Sequence, residues 1–187
     1  MCGLAGMMRL GQGAASGDDA ALVRRMCDLQ LHRGPDDGGV VSLGPVTLGS
    51  RRLSIIDLSA AGHMPMSDAS GRWWIAYNGE VYNFADIRAE LEALGHAFRS
   101  HTDTEVVLHL LVRELKKTPA MMQAIVNVIR QLRGAFSLGI LNAKEPNALY
   151  LVKQGSPLVI GAGKGENFFA SDAMALVAHT SRAHFLQ

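Results

Sequence analysis

Apolar and polar positions change their spacing several times along the chain, and each change marks an element. Residues 3–10 form a short apolar run bounded by Gly11 and Gly13, which predicts a buried strand. Leu22, Met26 and Leu29 recur at helical spacing, so a helix is expected over 20–31, with Asp18 and Asp19 as its cap. A loop rich in Gly, Pro and Asp follows from His32 to Gly39. Val40–Val41 and Val46–Leu48 read as the strands of a hairpin around Gly44–Pro45, and Leu53–Ile56 as another extended run. After a second loop, Ser59–Gly71, the segment Trp73–Tyr77 is strongly β-forming and ends at the turn pair Asn78–Gly79.

The pattern then becomes helical. Residues 84–94 form one helix pattern closed by Gly95. Thr102 or Asp103 can cap a second over 104–116, and a third runs from about 119 to 132. Strands are expected at 135–141, 148–153, 157–161 and 167–170, then a short helix at 172–178. Strands in runs, with helices grouped between them, predict an α+β layered architecture rather than a repeating βαβ fold. Internal repeats and low-complexity linkers are absent from the sequence.

Composition narrows the choice of function. A length of 187 residues suits a single domain, 1–187, with a sizeable core. The formal net charge is only +1 and the cationic residues are scattered, so no electrostatic case arises for nucleic acid or an anionic membrane. No run of about 18 apolar residues would span a bilayer. The start, MCGLAGMMRLGQG, lacks the apolar core of a secretory signal, which leaves a cytoplasmic location as the default expectation.

The two cysteines, Cys2 and Cys27, make neither a disulfide framework nor a zinc-spacing cluster. Cys27 reads as a small buried hydrophobe. Cys2 differs, because its neighbours are a glycine and the chain end. Loss of Met1 would give it a free α-amine, a group that ordinarily titrates at about 7.7–8.0. Thiol and amine on one residue then form a self-contained nucleophile and base. His32 and His63 sit in loops without paired ligand spacing, so a metal site is not expected. GAGKGE at 161–166 lacks the Lys-Ser/Thr ending of a phosphate loop and reads as a turn.

Six segments occur in order: MCGLAG, HRGPD (32–36), RRLSIIDLS (51–59), GHMPM (62–66), YNGEVYN (77–83) and HTDTEVV (101–107). Together they resemble the glutaminase domain of glutamine-dependent asparagine synthetases, a class II, N-terminal-nucleophile glutamine amidotransferase domain. From about Thr102 the resemblance shifts to the glutaminase domain of glucosamine-6-phosphate synthase, carried by HTDTEVVLHLL, VIRQLRGAFSLGIL (128–141) and QGSPLVIGAGKGENFFASDAMALVAHT (154–180). The chain thus reads as a hybrid of two related families, with an engineered recombination favoured over natural divergence.

The resemblance implies a four-layer αββα sandwich of two mostly antiparallel sheets. It implies hydrolysis of L-glutamine to glutamate and ammonia through a thioester on Cys2, with no cofactor and no metal. Asn78, through its side chain, and Gly79, through its backbone N–H, would form the oxyanion hole. Arg52 would bind the substrate carboxylate and Asp103 its ammonium, with Glu80 as a second contact. A zwitterionic substrate calls for such a cation and anion at fixed separation. Each residue also has a plainer reading: Arg52 in a solvated pair with Arg51, Asp103 as a helix cap, Asn78–Gly79 as a hairpin turn. The synthetase and sugar-isomerase halves of the two families are absent from these residues, and both families continue with at least one more strand. The expectation is therefore a C-terminally truncated, free-standing glutaminase domain. The alternatives are a folded but inactive scaffold and a glutamine-binding module without turnover.

Overall fold

The structure, a computed structural model, describes residues 1–11 and 15–186. Gly13, expected to help end the first strand, lies outside them. The larger of two sheets contains β1 (Gly3–Arg9), β2 (Asp37–Leu43), β3 (Val46–Arg52), β8 (Val159–Ala162), β9 (Glu166–Ala170) and β10 (Ala183–Phe185), in the order β10-β8-β9-β1-β3-β2. The smaller contains β4 (Met66–Ser67), β5 (Trp73–Val81), β6 (Gly134–Asn142) and β7 (Leu149–Gln154), in the order β4-β5-β6-β7. Every pairing is antiparallel.

Helix α1 (Gly17–Asp28) covers the outer face of the large sheet. On the small sheet, α3 (Asp103–Lys117) packs directly on β5, flanked by α2 (Phe84–Ala93) and α4 (Met121–Gln131). Three buried clusters fill the three layer boundaries. Met7 and Phe168 of the large sheet meet Val23 and Met26 of α1. Leu4, Leu48, Ala76, Leu141 and Phe169 lie between the sheets. Ile75 and Leu138 of the small sheet share the third cluster with Leu91 of α2 and Leu108 and Leu111 of α3. The result is the α+β, four-layer αββα sandwich that the sequence led one to expect.

This layering explains the first apolar run. Strand β1 is central and covered on both faces, so Leu4 enters the inter-sheet core while Ala5 and Met7 meet α1. Gly6 makes room for its neighbour on β9: a Cβ there would fall 2.2 Å from the Phe169 ring. Truncating Leu48 between the sheets to alanine would cost roughly 2–5 kcal/mol.

Several local expectations are corrected. Helix α1 starts at Gly17, and its cap is Ser16 rather than Asp18 or Asp19. Ser16 and Asp19 form a reciprocal capping box, and the Asp19 carboxylate also pairs with Arg9. Leu29, placed on the buried helical face by its spacing, is instead the C-cap residue and 54% exposed. Leu53–Ile56 is an irregular loop and not a strand. The helix at 172–178 shrinks to a 3₁₀ turn, Ala173–Ala175. Strands β4 and β10, of two and three residues, are too short to register as sequence patterns.

The correction with most consequence concerns Asn78–Gly79. It is no turn: β5 runs through both residues to Val81, pairing Asn78 with Ser137 and Gly79 with Phe136. Gly79 has φ +149°, and a Cβ would lie 2.2 Å from the Ala135 carbonyl oxygen. Only glycine lets the strand bend there without breaking.

Candidate active site

At one end of the sandwich, the chain start, the end of β3, the middle of β5 and the N-terminus of α3 converge on a cleft. It encloses about 490 Å³, mouth included. Its lining includes Met1, Cys2, Arg52, Tyr77, Gly79, Glu80 and Asp103. Five of the six residues singled out in the sequence therefore share one cavity. The sixth, Asn78, does not line it.

Cys2 immediately precedes β1, where Gly3 pairs with Arg51 on β3, so the nucleophile candidate lies beside Arg52. The Leu53 amide approaches its Sγ at 3.5 Å, and Arg33 Nε donates to its carbonyl oxygen at 3.1 Å. Burial pushes the thiol above its ordinary value, while the Leu53 contact and the Arg52 charge pull the other way. A thiol in this environment needs a base to become a thiolate. With Met1 in place the nitrogen of Cys2 is an amide, and Met1 itself occupies part of the cleft wall.

Arg52 is buried rather than half of a solvated pair. Its two terminal nitrogens donate to the carbonyl oxygens of Ser59, at 3.1 Å, and Asp57. Its neighbour Arg51 turns the other way, to the carbonyls of Gly34 and Pro35. The loop that clamps Arg52 is itself fastened by Asp57. One Asp57 oxygen accepts from the Ser59 amide and the other from the His101 amide, each at 2.8 Å. Those amides hold its carboxyl down at about 2.

Asp103 is the first residue of α3 and not its cap; Thr102 caps the helix by accepting from the Glu105 amide. The Asp103 carboxylate is buried against β5. Its Oδ2 accepts from the Tyr77 hydroxyl at 2.6 Å and from the Val81 amide at 3.2 Å. Burial nevertheless raises its pKa, with Tyr77 and Val81 opposing. Burial and the adjacent Asp103 raise that of Tyr77, so its hydroxyl stays a donor. Glu80 is exposed at the rim.

Asn78 faces away from Tyr77 and Gly79, toward the space between the sheets. It is fully enclosed, and neither its Nδ2 nor its Oδ1 has a hydrogen-bond partner among the described residues. An unpaired buried carboxamide is costly, about 1–3 kcal/mol, and calls for an explanation.

Sequence reading passed over Asp57 and Tyr77, although both stand inside the motifs RRLSIIDLS and YNGEVYN. Nothing in their residue type separates a tether from a core tyrosine or a loop carboxylate. Cys27 behaves as expected: it is buried on the inner face of α1, and desolvation raises its thiol to about 12. GAGKGE forms the β8–β9 turn. Among the described residues, no group of three or more His, Cys, Asp or Glu could hold a metal ion, and no helix is long and apolar enough to cross a membrane.

Comparison with known proteins bears on this arrangement. A family model described as a glutamine amidotransferase domain matches residues 1–186. The glutamine–fructose-6-phosphate aminotransferase (isomerizing) of Thermococcus kodakarensis is 44% identical over 122 residues, 65% of this chain and 20% of that protein. Its Pyrococcus horikoshii counterpart is 43% identical over 122 residues, again 65% and 20%. The chain thus spans about a fifth of the length of these curated relatives. Among solved structures, the glutamine phosphoribosylpyrophosphate amidotransferase of B. subtilis, complexed with ADP and GMP, superposes with a TM-score of 0.78 at 20% identity. That match covers all of this chain and 45% of the other, and is a likeness of fold.

Proposed function

The chain belongs to the glutamine amidotransferase domain family, and on that premise we propose that it hydrolyses L-glutamine to glutamate and ammonia at Cys2. The observation that carries the reading is the cleft itself. A thiol shares one cavity with a buried guanidinium and a buried carboxylate, the two charges a zwitterionic amide substrate requires. Arg52 takes the substrate carboxylate, and Asp103, with Glu80 at the rim, takes the ammonium.

The chemistry follows from those placements. Loss of Met1 frees the Cys2 amine, which accepts the thiol proton. The sulfur attacks the carboxamide carbon, and the carbonyl oxygen becomes an anion held by the Gly79 N–H, which lines the cleft, and by Asn78 Nδ2 once that enclosed carboxamide turns toward it. Collapse of the tetrahedral intermediate expels ammonia, with the amine returning the proton to the leaving nitrogen. Water then cleaves the thioester to glutamate. No metal or cofactor takes part in this scheme.

The front of the chain, with its asparagine-synthetase-like motifs, and the back, with its glucosamine-6-phosphate-synthase-like ones, are read as sections of two related families on one fold. The domain acts as a glutaminase, and where its ammonia goes depends on an acceptor outside these residues. A second reading applies to any chain that keeps Met1: without the amine, and with the thiol raised by burial, it binds glutamine and does not turn it over.

The test is glutamate release by purified protein whose intact mass shows Met1 to be gone. Cys2→Ala should abolish release while the protein stays folded, since Cys2 precedes the first strand. Turnover that survives Cys2→Ala would refute the mechanism. Glutamine-induced thermal stabilisation without turnover, in protein lacking Met1, would establish the binding module instead.

A further inference from the structure

The motif GHMPM opens on Gly62, a residue that the mechanism leaves without a role. Gly62 closes a single 3₁₀ turn, Ala60–Gly62, in the loop that clamps Arg52, and it is buried. Its backbone does not call for glycine. Its φ is not positive, unlike that of Gly79, and the other two residues of the turn are alanines.

What does call for glycine is Arg52. A Cβ at Gly62 would fall 2.1 Å from Arg52 Nη2, 2.4 Å from Cζ and 2.8 Å from Nη1, so its three nearest neighbours would all be guanidinium atoms. The head of Arg52 thus lies against a bare Cα, in the volume that a side chain would fill. One carbonyl holds both residues there: the Ser59 oxygen accepts from the Gly62 amide at 3.3 Å and from Arg52 Nη1 at 3.1 Å.

The kind of obstacle decides the consequence. At Gly34 and Gly79 a Cβ would meet backbone, of Arg51–Arg52 and of Ala135–Phe136, and the fold itself would have to yield. At Gly62 it would meet the far end of a long side chain, which yields by changing rotamer. Room exists for that: besides the cleft, Arg52 borders a second hollow of about 1120 Å³, mouth included, which it shares with Asp37, Ser59 and His63. The fold then keeps its stability while the guanidinium leaves the position from which it meets a substrate carboxylate. Paired N–H donors in a planar fork tolerate little such displacement.

Resting on the reading of Arg52 as the carboxylate anchor, we propose that Gly62 is a positioning residue for glutamine binding: its bare backbone is the seat on which the guanidinium is aligned, so a side chain there displaces the anchor and spares the fold. Gly62 touches no reacting atom and acts only through Arg52.

The experiment uses protein lacking Met1 and reads ammonia release from L-glutamine and from its α-amide, which is neutral where glutamine carries the carboxylate. Gly62→Ala should raise KM for glutamine about tenfold with kcat within about twofold, the mark of lost uniform binding. It should lower kcat/KM for the α-amide less than about twofold and melt within about 4 °C of the parent. Arg52→Ala should raise KM for glutamine roughly thirtyfold. In the Arg52→Ala background, Gly62→Ala should add nothing on either substrate.

Equal losses on glutamine and the α-amide would overturn the proposal, as would multiplicative losses in the double variant. So would a Gly62→Ala protein with an unaltered KM, or one that fails to fold, which would make Gly62 a packing residue. If Arg52→Ala keeps the preference for glutamine over the α-amide, the carboxylate reading fails and this inference with it. Loss of that preference in Arg52→Ala beside a normal Gly62→Ala sinks the inference alone.

Discussion

The two halves of the cleft are built differently. The cationic half hangs on a loop. Arg52 ends β3, and its guanidinium is gripped by backbone carbonyls of the irregular stretch that follows. That stretch exposes Ile55, Ile56 and Leu58. The anionic half is made of regular structure. Asp103 opens a 15-residue helix capped by Thr102, and its carboxylate is pinned to β5 by Tyr77 and Val81. One half gets its geometry from tethers and the other from packing, and Asp57 joins them by bonding the amide of His101, two residues before Asp103.

The carboxylates of the two halves also respond oppositely to the fold. Burial raises Asp103 above its unfolded value of 3.8. Stability from this group is therefore present below pH 3.8 and lost as pH rises through the raised folded value. Asp57 is lowered to about 2 by the amides of His101 and Ser59, so its contribution is present above 3.8 and lost as pH falls through about 2. On the proposed reading, Asp103 is held for a ligand at some expense to the fold, whereas Asp57 serves the fold.

The largest expected effect comes from breaking the packed half. Asp103→Asn should raise KM for glutamine roughly thirtyfold to a hundred-and-fiftyfold, the worth of a charge-assisted contact of about 2–3 kcal/mol. The same variant should melt at a higher temperature than the parent at pH 7, because the ionised carboxylate no longer has to be buried. Lower stability together with an unchanged KM would reverse the assignment and make Asp103 a structural residue.

The tethered half should break less sharply. Asp57→Ala frees the loop that clamps Arg52 and should raise KM about tenfold with kcat changed less, as expected for a defect in uniform binding. Its melting temperature should fall below that of the parent above about pH 4 and converge with it near pH 2, where the parent carboxylate is itself protonated. A pH-independent difference in melting temperature would mean that Asp57 acts by packing and not by charge.

How much of this was legible in the sequence follows the same division. The layered architecture was readable because most strands and all four helices carry sustained apolar patterns, and burial was visible for Met26 and Cys27 on the inner face of α1. The tethered loop was misread, because Leu53–Ile56 is apolar enough to pass for a strand although Ile55 and Ile56 are exposed. Asn78–Gly79 carries turn chemistry, and only the pairing with β6 keeps it in a strand. Ser16 and Asp19 form a two-way cap, which a rule that seeks one capping residue divides wrongly. At the cleft, Arg52 and Asp103 stood out through resemblance alone. Local spacing says nothing of an arginine on β3 meeting an aspartate 51 residues later on α3.

Tyr77 tests the packed half most finely. Its hydroxyl stays protonated and donates to Asp103 Oδ2, which favours the ionised carboxylate against the burial that disfavours it. Tyr77→Phe keeps the ring in the core beneath α3 and removes only that donor. One neutral donor is worth about 1 kcal/mol, so KM should rise roughly fivefold. The Asp103 pKa should climb further, moving the acidic limb of the kcat/KM profile to higher pH. The tethered half predicts no such shift, because Asp57 already titrates near 2, well below the working range. A KM increase with an unmoved acidic limb would mean that Tyr77 shapes the cleft sterically; a moved limb would show that the packed half sets the charge of Asp103 as well as its position.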